Sequence, residues 1–206
     1  MERIPDCTGV LVAGGQSRRL GGLPKGLVGR GGETIAERSL ALFRDLFGEV
    51  FVVANDPAPW TGLSVRVVPD AIAGKGAPGG LHAALAAART GWIFAAACDM
   101  PFLSSEAIRF LAAHRGAAPA VLVEWERGLE GLHACWSRDA LSTVERMLRD
   151  GDPSIRAIAA AVGARVVTAA EWRQVDPGGL SFENVNSPED LERLGLEHRG
   201  APRREP

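Results

Sequence analysis

The sequence predicts an α/β fold: a single three-layer α/β/α domain around a mostly parallel central sheet. Short, nearly all-apolar runs at residues 8–13, 50–54 and 92–98 have the composition of strands buried on both faces. Between such runs lie stretches whose apolar residues recur at helical spacing. Strands alternating with helices build βαβ units, and βαβ units build parallel sheets.

Taken in order, residues 8–13 (TGVLVA) form the first strand and a Gly-rich segment, 14–32, follows it. Residues 34–47 read as a helix. Thr34 and Glu37 have the spacing of a capping box, and Ala36, Leu40, Phe43 and Phe47 share one face. Residues 50–54 and 65–68 are the next strands, and the Ala-rich stretch 79–89 is helical. Residues 92–98 form the most apolar strand. A helix at 104–114 carries Ala107, Phe110, Leu111 and His114 on one side. Residues 120–124 and 132–136 are strands, and 138–149 is a helix ended by Gly151 and Pro153. A shorter helix, 154–161, and a strand, 165–168, come next. Ser187 caps a last helix, with Pro188 at its first position and Asp190 three residues on. The polar stretch 197–206 (EHRGAPRREP) is expected to be a disordered tail, which leaves 1–196 as the domain.

Composition narrows the function. A chain of 206 residues with 46% apolar residues can bury a substantial core. Its 23 basic and 25 acidic side chains give a net charge of -2, so the basic excess of a nucleic-acid binder is missing. Cys7, Cys98 and Cys135 are far apart and form no CxxC pair, which argues against a disulfide framework or a thiolate zinc site. His82, His114, His133 and His198 are scattered, without metal-ligand spacing. No signal peptide is recognisable and no apolar run is long enough to span a bilayer. The expectation is a cytoplasmic protein with neither nucleic acid nor membrane as partner.

The sharpest motif is VAGGQSRRLGGLPKG at 12–26, which places four glycines before Lys25 and interleaves Ser17, Arg18 and Arg19. Glycines bring main-chain N–H groups close to a ligand, and Arg and Lys match phosphate oxygens. Behind a parallel strand, such a loop sits at the carboxyl edge of the sheet, where ligands bind. The reading is a triphosphate cradle; a solvated loop is the alternative. It is neither a Walker A loop, because Gly26 and Leu27 follow Lys25, nor a GxGxxG turn. Asp99, directly after the most apolar strand, reads as a magnesium ligand or as a turn residue. Asp70 ends a short strand in the same way, with ordinary turn chemistry as its alternative. Gly79 and Gly80 allow close approach of a ligand at a helix start that favours an anion, and Lys75 adds charge there. Asn184 and Asn186 flank Val185, either facing a metal or substrate or merely opening the last helix. Cys98 reads as packing.

With these residues assembled, the chain resembles the molybdenum cofactor guanylyltransferases over nearly its whole length. The resemblance rests on GVLVAGGQSRRLGGLPKGL, VVAN, VVPD, GAPGGLHAAL, CDMPFL and FENVNSPEDL, in that order. It implies a Rossmann-like nucleotidyltransferase fold and transfer of GMP from Mg-GTP to molybdopterin, with Mg2+ as cofactor. It also implies roles for residues. Val12, Ala13, Gly14, Gly15, Lys25, Asn55, Asp70, Gly79, Gly80 and Asp99 bind the nucleotide. Lys25, Arg19 and Asp99 are catalytic, with Asp99 on the metal. Asn184 and Asn186 line the acceptor. GTP and molybdopterin are the implied partners, together with cofactor-delivery or molybdoenzyme chaperone proteins. Pro24 stands where the family often has Asp, and Val53 where some members have Asn. A CTP-dependent relative, a transferase with a sugar-phosphate or alcohol acceptor, and a non-catalytic nucleotide-binding adaptor are the alternatives.

Overall fold

The computed structural model describes residues 2–13 and 25–198. In chain order the elements are β1 (Cys7–Val12), β2 (Val28–Arg30), β3 (Glu33–Thr34), α1 (Ile35–Leu46), β4 (Glu49–Val53) and β5 (Arg66–Val68). Then come α2 (Gly76–Ala87), β6 (Trp92–Ala97), α3 (Ser105–Ala113), β7 (Ala120–Trp125) and β8 (Gly128–Ser137). The chain continues through α4 (Leu141–Asp150), α5 (Ile155–Ala161), β9 (Arg165–Val167), α6 (Ala169–Trp172), α7 (Pro188–Leu194) and β10 (Glu197–His198).

Seven strands form one sheet in the order β5-β4-β1-β6-β8-β7-β9. β1 pairs in parallel with β4 and with β6, and β4 with β5; β8 alone runs antiparallel to its neighbours. The three expected layers follow from alternation along the strands. Leu11, Phe94 and Ala96 point to the face covered by α1, α3 and α6, where Leu40, Phe43, Leu111 and Trp172 are buried. Val10, Val12, Ile93 and Ala95 point to the opposite face, against Leu81 and Leu85 of α2, Val144 and Leu148 of α4, and Ile158 of α5.

Local chemistry sets the helix starts. Thr34 and Glu37 make the expected capping box, Ser104 and Ser154 cap α3 and α5, and Ser187 with Asp190 caps α7. Four features differ from the expectation. α2 begins at Gly76 rather than at 79, because Pro78 in its first turn forfeits no helical hydrogen bond. The helix expected at 138–149 is a 3-10 turn, Arg138–Ala140, followed by α4. Part of the Gly-rich segment is structured: β2 and β3 pair across a turn at Gly31 and Gly32, both at positive φ. Glu197 and His198, assigned by the sequence to the tail, pair with Gly29 and Val28. What holds this second, three-stranded sheet is a small apolar cluster of Val28, Ile35, Val185 and Leu191, on which Leu194 and Leu196 pack.

His133 of β8 is fully buried, with Phe94, Trp172 and Phe182 standing edge-on around it at 5.2, 5.4 and 5.3 Å between ring centroids. Neither ring nitrogen has a hydrogen-bond partner among the described residues. Burial pushes its pKa down to about 4, against a smaller upward pull from Asp176. The folded protein therefore holds a neutral imidazole, while the unfolded chain protonates it near pH 6.5. The unfolded state binds the extra proton, so stability falls as pH drops from 6.5 to about 4 and levels off below. Denaturant unfolding across this range should show His133→Leu losing up to ~3 kcal/mol less than the wild type. Parallel pH curves for the two proteins would refute the assignment.

Candidate active site

β1, β4, β5 and β6 are mutually parallel, so their carboxyl ends share one edge of the sheet. From β1 the chain moves outward through β4 to β5, and α2 then returns it to β6 on the other side of β1. The crevice between β1 and β6 is the topological switch point, where open α/β sheets bind ligands. Main-chain bonds extend the ladder past the strand ends: Ala13 N–H donates to Val53 O (2.8 Å), Ala54 N–H to Val68 O (2.9 Å) and Cys98 N–H to Val12 O (3.0 Å). The loops leaving this edge therefore start from fixed positions.

Lys25, Asp99 and Asn186 meet here from three distant parts of the chain. Asp99 lies in the turn directly after β6. Lys25 opens a 3-10 turn, Lys25–Leu27, pressed against that same turn: a Cβ on Gly26 would lie 3.2 Å from both Cys98 Cβ and the Trp60 ring, and 3.3 Å from Cys98 O. Asn186 is brought in by Val185, whose N–H donates to the Asp99 carbonyl (3.0 Å) and whose side chain is fully buried. The Asp190 carboxylate then accepts from Asn186 N–H (2.9 Å) and Ser187 N–H (3.1 Å). On this frame the Lys25 ammonium donates to Asp99 Oδ2 (2.9 Å) and to Asn186 Oδ1. The lysine side chain is 26% exposed and the aspartate 16%, so a ligand in the crevice can reach both.

The donor set suits a hard divalent cation. A carboxylate oxygen and an amide oxygen converge on one point, and a positive charge already sits there. No cluster of three or more His, Cys, Asp or Glu side chains placed to hold a metal exists among the described residues. A divalent cation held by so sparse a protein shell would complete its coordination with water and substrate oxygens.

A second group lies at the ends of β4 and β5. Asn55 Nδ2 donates to Asp70 Oδ2 (2.9 Å), and Asp70 N–H donates back to Asn55 Oδ1 (2.9 Å). The pair locks the Asp70 carboxylate beside the first turn of α2: a Cβ on Gly79 would come 4.0 Å from Asp70 Oδ2, and Asp70 Oδ1 is buried without a partner among the described residues. Gly80 packs directly on the end of β1, where a Cβ would lie 2.6 Å from Val12 Cγ1.

Of the residues singled out by sequence, the structure thus gathers Lys25, Asp99 and Asn186 in one group and Asn55, Asp70 and Gly79 in another. Val12, Ala13 and Gly80 lie where β1 meets them. Gly14, Gly15, Ser17, Arg18 and Arg19 lie outside the described residues. Asn184 uses its Nδ2 to donate to Phe182 O (3.0 Å), which shapes the loop that carries Asn186. Lys75 departs from the expectation. Its ammonium donates to Gly151 O (2.9 Å) and Asp152 Oδ1 (2.6 Å), so its charge goes to the α4–α5 connection. Cys98 is buried, with a pKa pushed up to about 12 chiefly by burial, as a packing thiol should be. Sequence reasoning placed Gly26 in the motif without giving it a packing role, and read Trp60 only as one of the scattered core or surface anchors; the structure packs the two together.

The fold and this site define a nucleotidyltransferase. Residues 9–169 match the MobA-like NTP transferase domain, and the chain belongs to that family. It is 33% identical to the molybdenum cofactor guanylyltransferase of Desulfosudis oleivorans over 90% of this chain and 93% of the relative. With the enzyme of the same name from Syntrophotalea carbinolica it shares 29% identity over 89% of this chain and 88% of the relative. The crystal structure of molybdopterin-guanine dinucleotide biosynthesis protein A from Archaeoglobus fulgidus has the same fold, with a TM-score of 0.76 and 26% identity, over 91% of this chain and 95% of that one. A manganese complex of Rv0371c from Mycobacterium tuberculosis shares the fold at a TM-score of 0.63 and 20% identity, over 91% of this chain and 97% of that one. Among the described residues no helix is long and apolar enough to cross a membrane.

Gly80 gives a test of the packing beneath the site. Glycine in a helix interior normally costs ~0.5–1 kcal/mol relative to alanine. Here the methyl would strike the stiff, β-branched Val12 2.6 Å away. Gly80→Ala should therefore destabilise by ~1–3 kcal/mol, the usual cost of overpacking. In a double-mutant cycle by thermal unfolding, Val12→Ala should recover part of that loss. Strict additivity of the two changes would contradict the contact.

Proposed function

We propose that the protein transfers GMP from magnesium-bound GTP to the terminal phosphate of molybdenum-bearing molybdopterin, forming the guanine dinucleotide cofactor and releasing pyrophosphate. The carrying observation is the meeting of Lys25, Asp99 and Asn186 at the switch point, in a chain whose relatives bear the guanylyltransferase name. In this reading the enzyme is cytoplasmic and exchanges its cofactor with delivery or chaperone proteins.

An oxygen of the acceptor phosphate attacks the α-phosphorus of GTP, and the bond from that phosphorus to the β-phosphate oxygen breaks. The nucleophile is already an anion, so no strong general base is required. The difficulty is to hold two polyanions in line, and the protein answers it by positioning and charge neutralisation. Lys25 neutralises charge that grows on the α-phosphate and the departing pyrophosphate, together with Arg19. The glycine-rich loop, including Gly14 and Gly15, presents main-chain N–H groups to the phosphates. Asn55 and Asp70, with Gly79 and Gly80 leaving room, face the nucleoside. Asn184 and Asn186 border the acceptor. Asp99 and Asn186 would hold the Mg2+, whose bound charge lowers the repulsion between the two reactants.

The first test is pyrophosphate release with Mg2+ and each ribonucleoside triphosphate, with and without molybdopterin. Release with GTP and the acceptor together is expected. Release with CTP instead would move the base specificity, and binding without release would favour the adaptor alternative.

Asp99→Ala should cut transfer by at least ~10²-fold, the usual effect of removing a group that neutralises transition-state charge. Its carboxylate meets Lys25 rather than the apolar core, so the fold should survive, with unfolding free energy lowered by ~1–3 kcal/mol for the half-buried partner left unpaired. Undiminished activity at saturating Mg2+ would rule out the assigned role. For Lys25→Ala, kcat should fall by a larger factor than KM rises, because the lysine acts mainly in the transition state. Steady-state kinetics in GTP separates the two effects.

A further inference from the structure

The chain contains two lysines, Lys25 and Lys75, so 21 of its 23 basic residues (23 − 2) are arginines. Arginine offers a planar fork suited to bidentate pairing, whereas lysine offers a compact point charge. One of the two lysines sits where compactness matters. The Lys25 ammonium is held between Asp99 Oδ2 and Asn186 Oδ1, an arrangement of oxygen donors around a small cation. Those are the oxygens that would hold the divalent ion.

We propose that Lys25 is an internal placeholder for the divalent cation: its ammonium occupies the Asp99–Asn186 oxygen pair in the free enzyme and leaves when a metal binds there. The proposal rests on the assignment of those oxygens to the metal and adds an exchange to it. An observation and a physical argument support it. Both acceptors belong to a rigid frame, Asp99 through the strand end and Asn186 through Val185 and the Asp190 carboxylate, so the pair exists without a ligand. Two cations on the same pair of oxygens disfavour each other, because like charges that close repel in a half-buried site.

The exchange has a chemical consequence. A lysine salt-bridged to Asp99 is not free to meet a phosphate. Loading the metal releases the ammonium on its flexible four-carbon stem, next to the crevice where the phosphates arrive. Lys25 would thus reach its transition-state position only in the metal-loaded enzyme. The free enzyme, for its part, avoids leaving Asp99 as an uncompensated, largely buried charge.

The test uses the free protein and Mn2+ alone, with neither nucleotide nor acceptor. Titration followed by electron paramagnetic resonance should show Lys25→Met binding Mn2+ about tenfold or more tightly than the wild type, since its competitor for the oxygens is gone. Lys75→Met removes an equal charge that is paired elsewhere, with Asp152, and should change affinity by less than about twofold. Equal affinity in wild type and Lys25→Met, or an equal gain in both variants, would overturn the exchange. A crystal of the wild type soaked in Mn2+ supplies an independent readout. Its anomalous peak should lie on Asp99 and Asn186, with Lys25 Nζ out of hydrogen-bond range of both. A peak there with Lys25 still bonded to both oxygens, or a peak elsewhere, would also overturn it. None of these readouts involves transfer chemistry. A failed guanylyl-transfer assay therefore leaves the exchange standing, and a failed exchange leaves the transfer reaction standing.

Discussion

β1 is paired along both edges, with β4 on one side and β6 on the other, and its two faces are sealed by different helical layers. Val10 and Leu11 have no solvent exposure at all. A strand paired and covered in this way has no cheap way to move. Its parallel neighbours then deliver Ala13, Asn55 and Asp99 to one edge as a matter of register. Shifting any strand by one residue would turn its side chains to the wrong layer, which would cost more than any contact at the site could return. The loops that carry the chemistry thus hang from the most constrained part of the molecule, where a rigid scaffold serves them best.

Charge placement follows the same logic. The reaction must bring together anionic partners, yet the protein as a whole carries a net charge of -2. Attraction is therefore local. Lys25 and Asp99 form a mixed-sign pair in the crevice, and the other lysine is tied to Asp152 at the α4–α5 connection. Several of the remaining ion pairs join arginines to exposed carboxylates, as Arg156 with Glu124 and Arg173 with Glu126, and such pairs add little stability.

The second, smaller sheet has a positional role. β2, β3 and β10 flank the apolar cluster that buries Val185. That burial, with the main-chain bond from Val185 to Asp99, is what sets Asn186 opposite Lys25. A short stretch of polar C-terminal sequence thereby completes the small sheet beside the segment that carries Asn186, although Glu197 and His198 lie far from Gly29 and Val28 along the chain.

The sequence by itself determined the seven strands' composition, the capping boxes at Thr34 and Ser187 and the strand-end positions of Asp70 and Asp99. Each is written within a few consecutive residues: apolar runs, a Ser or Thr three places before an acid, a carboxylate after the last apolar residue. The boundaries it missed have local conflicts behind them, as where Gly, Ala and Pro open α2 with weak helix propensity but acceptable N-terminal geometry. Only the tertiary structure decided partnership. Lys25 meets Asn186 across 161 residues, and Lys75 meets Asp152 across 77. The same holds for the short pairings of β2 and β10, which have no apolar periodicity of their own and form because the Val28–Val185 cluster brings them together. Side-chain type fixes what a residue can bind, but the choice among binding partners far along the chain is made by packing, which no local window of sequence contains.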